Sequence, residues 1–140
     1  MRTTAGIILY LGLLICFSCE EQGWIGNCDD CVSTEPERAV IEGKVDKDGL
    51  PAMIRIYEGA LENDILYISF LASGPGFNLP VSLNKKYTVT ATYQIDGDTY
   101  IAVDSAYPRV KYTKEQCEDP CYFVYDRIVD LRIKYLAGSE

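Results

Sequence analysis

Between Tyr87 and Ile95 the chain alternates without a break. Tyr87, Val89, Ala91, Tyr93 and Ile95 are apolar or aromatic, and Thr88, Thr90, Thr92 and Gln94 are polar. Successive side chains of an extended chain point to opposite faces, so this period of two predicts a strand with one buried and one wet face. Asp96-Gly97-Asp98 then turns the chain into Thr99–Val103, the mark of a hairpin.

The remaining segments supply the layers such a hairpin needs. Ala39–Val45 is a strand candidate, and Asp46-Lys47-Asp48-Gly49 closes it onto Met53–Tyr57. Glu58–Asp64 is polar and reads as a loop. Ile65–Leu71 is almost wholly apolar and predicts a strand buried on both faces, ended by Ser73-Gly74-Pro75-Gly76. At the other end, Val129, Leu131, Ile133 and Tyr135 alternate with Asp130, Arg132 and Lys134, which predicts a last strand. No part of the chain after residue 18 carries a sustained helical period. About seven short strands in roughly a hundred residues predict an all-β, antiparallel Greek-key β-sandwich.

The start of the chain has a different character. Arg2 precedes an uncharged, mostly apolar run from Ala5 to Phe17. Such a run suits the apolar region of a secretion signal and is shorter than the ~20 residues a membrane-spanning helix needs. Ser18-Cys19 resembles the end of a bacterial lipobox, in which a small residue precedes the cysteine that is lipidated and becomes the new N-terminus. The resemblance implies a lipoprotein signal peptide over residues 1–18, acylation of Cys19, and membrane lipid as a partner through that residue. An ordinary secretion leader is the alternative. Residues 19–38, with Gly23, Gly26, Asn27, Pro36 and several acids, read as a flexible tether on which Trp24 and Ile25 offer a local contact; residues 39–140 form the sandwich domain.

Charge and composition narrow the function. Arg2 is the only charged side chain in residues 1–18, so the 122 residues that follow carry 12 basic and 21 acidic groups, a net charge of −9. Nucleic acid is thereby excluded as a partner, since phosphate recognition needs a basic surface. The 140 residues contain no histidine, which removes Ser-His-Asp and Cys-His catalysis and histidine metal sites together. No cofactor motif is present. Carboxylate-only catalysis is the one enzymatic route left open.

Four cysteines follow Cys19, as Cys28-Asp29-Asp30-Cys31 and Cys117-Glu118-Asp119-Pro120-Cys121. An even count in an exported chain favours disulfides, with the pairing open. A bridge between the clusters would close a loop of nearly ninety residues, contribute about 4–5 kcal/mol in the chain-entropy treatment, and staple the tether to the final hairpin. Pairing within each cluster is equally compatible with the spacing. A four-thiolate zinc site fits the first cluster better than the second. A redox-active pair is disfavoured by Asp29 and Asp30, which raise rather than lower a neighbouring thiol pKa.

Asp46–Gly49 and Asp96–Asp98 lack the ligand number and distant glutamate of a calcium-binding loop and read as β-turns. Among the tyrosines, Tyr87, Tyr93 and Tyr135 align with apolar neighbours and belong to the core. Tyr100 alternates against Ile101 and Val103 and is expected on the surface, with Tyr107 and Tyr112. Exposed aromatics can stack on sugars, so these three are the candidate ligand contacts.

Gly43, Val45, Asp46, Gly49, Pro51, Ile54 and Ile56 are spaced as in carboxypeptidase regulatory-like (transthyretin-like, prealbumin-like) domains. Gly76-Phe77-Asn78-Leu79-Pro80 and Lys86-Tyr87-Thr88-Val89 resemble that family's later strand pair. The similarity covers Val40 to about Ile95, and the whole chain resembles small bacterial surface lipoproteins. It implies a seven-stranded Greek-key sandwich that adheres, spaces or supports without an active site. The expected protein is a non-catalytic binding or support module, lipid-anchored at the cell envelope, most simply the outer membrane, with a protein or glycan partner. A carbohydrate-binding accessory lipoprotein, a small pilus subunit and a carboxylate enzyme are the alternatives.

Overall fold

A computed structural model describes residues 27–46 and 50–134. The leader, Cys19, Trp24, Ile25, Lys47–Gly49 of the first turn and Tyr135 lie outside the described residues.

Among the described residues nine strands follow in chain order: β1 (Arg38–Lys44), β2 (Ala52–Glu58), β3 (Leu66–Ala72), β4 (Gly76–Ser82), β5 (Tyr87–Ile95), β6 (Asp98–Ala106), β7 (Arg109–Thr113), β8 (Cys121–Tyr125) and β9 (Ile128–Asp130). Two three-residue 3₁₀ turns, Cys28–Asp30 and Leu61–Asn63, are the only helical pieces among the described residues. One sheet has the order β4-β1-β9 and the other β3-β2-β5-β6, with β7-β8 a separate hairpin. The chain is an all-β sandwich. From β1 it crosses to the second sheet for β2 and β3 and returns with β4 beside β1, which is the returning fourth strand of a Greek key.

Alternation in the sequence sets the core. Ala39 and Ile41 of β1, Ala52, Ile54 and Ile56 of β2, and Tyr87, Val89, Ala91 and Tyr93 of β5 are all buried between the sheets, joined by Val81, Val129 and Leu131. Opposite the buried face of β5, Thr88 and Thr90 are not wet as the alternation predicts. β5 lies between β2 and β6, and the two hydroxyls donate to the Gly59 and Arg55 carbonyls at 2.7 and 3.5 Å. The β5–β6 turn has φ of 52° at Asp96 and 91° at Gly97, the two consecutive left-handed residues of a type I′ hairpin.

Two buried tyrosines fasten loops to this core. The Tyr87 hydroxyl accepts from the Ser82 amide at 3.2 Å, closing the β4–β5 turn. The Tyr93 hydroxyl accepts from Asp46 N at 3.3 Å and donates to Leu131 O at 2.9 Å, tying the β1–β2 turn to the end of the chain. Burial raises the Tyr93 pKa above the ordinary phenol value. Gly43 is paired with Phe77, and a Cβ there would fall inside the Phe77 ring. The missing side chain lets that ring lie across β1 and meet Phe70 edge-on at 5.2 Å between centroids.

Three expectations are corrected. β1 and β9 run parallel, so the sandwich is not wholly antiparallel. β9 ends at Asp130; Leu131 is buried and still donates its amide to Lys44 O at 2.8 Å, Ile133 packs on the core outside any strand, and β7 and β8 bring the strand count among the described residues to nine. Within the expected tether, Val32 and Tyr122 exchange backbone hydrogen bonds of 3.0 and 2.8 Å and hold residues 28–32 on β8. Finally, β3 is a strand but is not buried on both faces. It is the edge of its sheet: Ala72 is buried, Phe70 packs on the core and the half-exposed Tyr67 ring meets the buried Tyr87 edge-on at 5.6 Å, while the other side chains are largely exposed.

Candidate functional site

The four cysteines meet at one end of the molecule. Cys28 pairs with Cys117 and Cys31 with Cys121, with Cα–Cα separations of 5.7 and 5.6 Å. The two bridges run side by side and fix the entering chain to the β7–β8 hairpin at both ends of the 3₁₀ turn. Sulfurs of Cys31, Cys117 and Cys121 lie within 4.8 Å of one another, so the three would converge on a metal ion if reduced. As disulfides they offer no thiolate to one. Cys28 and Cys31 flank Asp29 and Asp30, and Glu118 and Asp119 lie opposite, which makes the stapled end acidic.

The candidate ligand-contact tyrosines do not form one surface. Tyr100 pairs with Tyr93 across β5 and β6, and paired residues share a face, so Tyr100 turns toward the core while Ile101 and Val103 face outward. The expected orientation of β6 is thus inverted. Tyr107 is exposed and packs on Arg109, whose guanidinium carbon lies 4.9 Å from the Tyr107 ring centre and 5.0 Å from that of Tyr125. Tyr112 is exposed and packs on Tyr122 with centroids 4.8 Å apart and planes tilted by 44°. Arg109 pairs with Tyr125 and Tyr112 with Tyr122, three positions apart, so alternation sets the two clusters on opposite faces of the hairpin. A flat platform of Tyr100, Tyr107 and Tyr112 is therefore absent. Beneath the Arg109 side lies an apolar cleft of about 290 Å³ bounded by Asn27, Asp30, Phe123 and Ile128.

At the opposite flank of the hairpin, β9 is fixed to β6. The Asp104 carboxylate accepts from Asp130 N and Ser105 N, both at 2.8 Å. Arg132 then grips Asp130 with two parallel bonds, Nε to Oδ1 at 2.7 Å and Nη2 to Oδ2 at 2.6 Å. Those hydrogen bonds hold the Asp130 carboxyl far below the usual carboxylate range, and Asp130 in turn raises Arg132. Asp104 thus joins β6 to β9, while the Asp130–Arg132 pair is a local contact between residues two positions apart.

The surface that the sequence reading missed is the outer face and edge of the four-stranded sheet. Register aligns Leu71, Met53, Thr92 and Ile101 in one outward row across all four strands, and Ser69, Arg55, Thr90 and Val103 in the next. Arg55 is the only charge in these two rows. Ile101 is 63% exposed, and Ile65, Leu66, Tyr67, Ile68 and Leu71 at the β3 edge are between 38% and 62% exposed. The signal for this was the uncharged run Ile65–Gly74 itself; composition alone does not tell a doubly covered strand from a bare one.

No protein-family model, no curated protein and no solved structure matches this chain.

Proposed function

We propose that the protein is a membrane-anchored, extracytoplasmic lipoprotein whose sandwich serves as a non-catalytic binding or support module. The observation that carries this reading is the double staple at the point where the chain enters the domain. Disulfides spanning 89 and 90 residues persist only in an oxidising compartment, which matches an apolar leader that exports the chain. They also fix Cys28 and Cys31, within the proposed tether, to the β7–β8 hairpin, so a load taken at Cys19 passes into covalent bonds rather than into strand pairing.

Eight peptide steps separate Cys19 from Asn27, a reach of at most about 28 Å. With Cys19 acylated, the stapled end of the sandwich stands next to the lipid and the rest of the domain projects from it, on the outer membrane of the cell envelope. Two or three acyl chains make such an anchor effectively permanent, at roughly 0.8 kcal/mol per buried methylene. The acidic charge keeps the domain off anionic lipid and leaves attachment to the acyl chains alone. Asp104, held by the β9 backbone, Asp130, held by Arg132, and the lack of histidine support a role without catalysis.

The test is intact-mass analysis of the protein extracted from envelopes, beside a Cys19→Ser variant. A chain beginning at Cys19 with acyl mass, and loss of that mass with release from the membrane in the variant, is the expected result. A mature chain that begins elsewhere, or one without acyl mass, overturns the anchor.

A further inference from the structure

Sheet edges expose unpaired backbone N–H and C=O groups, and natural sandwiches blunt them with proline, charge, shortness or a covering segment. Of the four edges of the two sandwich sheets, three are treated in that way. β4 carries Pro80 and the flanking Arg38, whose guanidinium reaches Pro80 O at 3.5 Å. β9 is three residues long. β6 is flanked by Asp130–Lys134, fixed there by the Asp104 carboxylate. β3 alone has seven residues without a proline or a charge, and among the described residues no strand pairs with its outer edge. Its one irregularity is a register shift opposite Ile56/Tyr57, which leaves Ile68–Ala72 regular.

We infer that β3 is an interface and that its occupant is β3 of a second copy of this chain, added antiparallel about a twofold axis to make one eight-stranded sheet. Charge selects the occupant. A chain of net charge −8 meets repulsion wherever it approaches itself, except along an uncharged stretch, and Ile65–Gly74 is uncharged. In a register centred on Phe70, Ile68 lies opposite Ala72 and Ser69 opposite Leu71, so inward residues meet inward and outward meet outward. β3 itself, Leu66–Ala72, carries no charged residue, so no like charges meet within the paired ladder. The two Arg55 side chains, one strand in from each edge, are three strand spacings or about 14 Å apart, beyond the screening length at physiological salt. Leu71 of each copy packs at the seam, next to its own Met53. An edge partner from another protein would be recognised by the same backbone groups, but nothing on β3 reads its side chains by charge. The inference does not rest on acylation at Cys19.

The ladder is short and the buried area is below that of a tight dimer, so pairing is expected at about 10–100 μM. Sedimentation equilibrium of the full chain tests it, alone and with Leu71→Lys or Ile101→Lys. Leu71 and Ile101 are both exposed, so neither lysine disturbs the core, and circular dichroism checks this. The wild-type chain should reach twice the monomer mass. Leu71→Lys should raise the dissociation constant at least about tenfold, and Ile101→Lys, on the far strand, should leave it unchanged. A wild-type chain that stays monomeric up to 500 μM (about fivefold above that range) overturns the inference. So does a dimer broken by Ile101→Lys and not by Leu71→Lys, which would mean face-to-face packing. Association only with a different protein likewise overturns it, and anchoring fails or stands separately by the mass test.

Discussion

Because the two disulfides are parallel, each makes the other partly redundant, and removing them should be strongly non-additive. Either bridge alone closes a loop spanning 89 or 90 residues, and the chain-entropy relation gives about 5 kcal/mol for that closure. With one bridge in place, the second closes only the short ring through Cys28–Cys31 and Cys117–Cys121. For roughly seven residues the same relation gives about 2 kcal/mol. Replacing one pair by serine, Cys28→Ser with Cys117→Ser or Cys31→Ser with Cys121→Ser, should therefore cost about 2 kcal/mol. Replacing all four should cost about 7 kcal/mol, well beyond the sum of the two, and comparable to the whole stability of a domain this size. Urea unfolding of the wild type, the two paired variants and the four-fold variant measures these values, and reduction of the wild type should reproduce the four-fold variant. Additive costs, or one pair costing as much as all four, would refute loop closure as the source of the stabilisation. Packing around the Val32–Tyr122 bridge would then carry it.

Three further perturbations probe the sandwich itself. Tyr93→Phe deletes a buried hydroxyl that serves Asp46 N and Leu131 O and should cost about 1–2 kcal/mol in chemical denaturation. Since burial raises the Tyr93 pKa, the native state holds its proton longer than the unfolded chain does. Stability should therefore fall as pH rises above 10, less in Tyr93→Phe than in the wild type. Gly43→Ala must push the Phe77 ring off β1 and away from Phe70, a loss of about 1–3 kcal/mol; adding Phe77→Ala to Gly43→Ala should cost less than Phe77→Ala does in the wild type. Asp130→Asn weakens the grip of Arg132, a half-exposed pair limited by solvent to at most about 1 kcal/mol. Its carboxyl pKa is depressed in the folded state, so the wild-type advantage is full at neutral pH and disappears only as the solution becomes more acidic than the ordinary carboxylate range. Thermal melts of both proteins from pH 7 down to pH 2 check it.

What was legible in the sequence follows from which forces are local. β1, β2, β5 and the Asp96-Gly97 hairpin are encoded by alternation and by turn chemistry within ten residues, and they are in the structure where the pattern puts them. Tyr87 and Tyr93 were recognisable as core from their apolar companions. Tyr100 was misjudged because its immediate neighbours Ile101 and Val103 are more apolar than it is; hairpin register decides, and a two-residue turn after Ile95 pairs it with Tyr93. β7 and β8 escaped notice because Arg109–Thr113 mixes charge with tyrosine, and the strands are held by cysteines whose partners lie almost ninety residues away. The parallel β1–β9 contact is also non-local, fixed by Glu42 N donating to Arg127 O at 2.9 Å and by the Glu42–Arg127 ion pair. The pairing of the four cysteines had no local signal at all.

β3 is the place where the same apolar run has two opposite meanings, and topology alone separates them. A run such as Ile65–Leu71 inside a sheet is covered on both sides and contributes stability; at an edge it leaves apolar side chains and backbone donors in water. Which case holds depends on where β4 goes. Ser73-Gly74-Pro75 carries the chain out of the β3 sheet, and β4 joins β1 in the other layer, so among the described residues no strand covers β3. Had β4 paired with β3, Leu71 and Ile68 would have had a neighbour, and Gly43 would have had no Phe77 to accommodate. The Gly43–Phe77 contact and the bare β3 edge are thus two consequences of one crossover. A substitution that weakens the sandwich away from β3, such as Tyr93→Phe, should leave any association through β3 unchanged at concentrations where the domain is folded. Sedimentation of that variant beside Leu71→Lys separates the stability of the sandwich from the use of its edge.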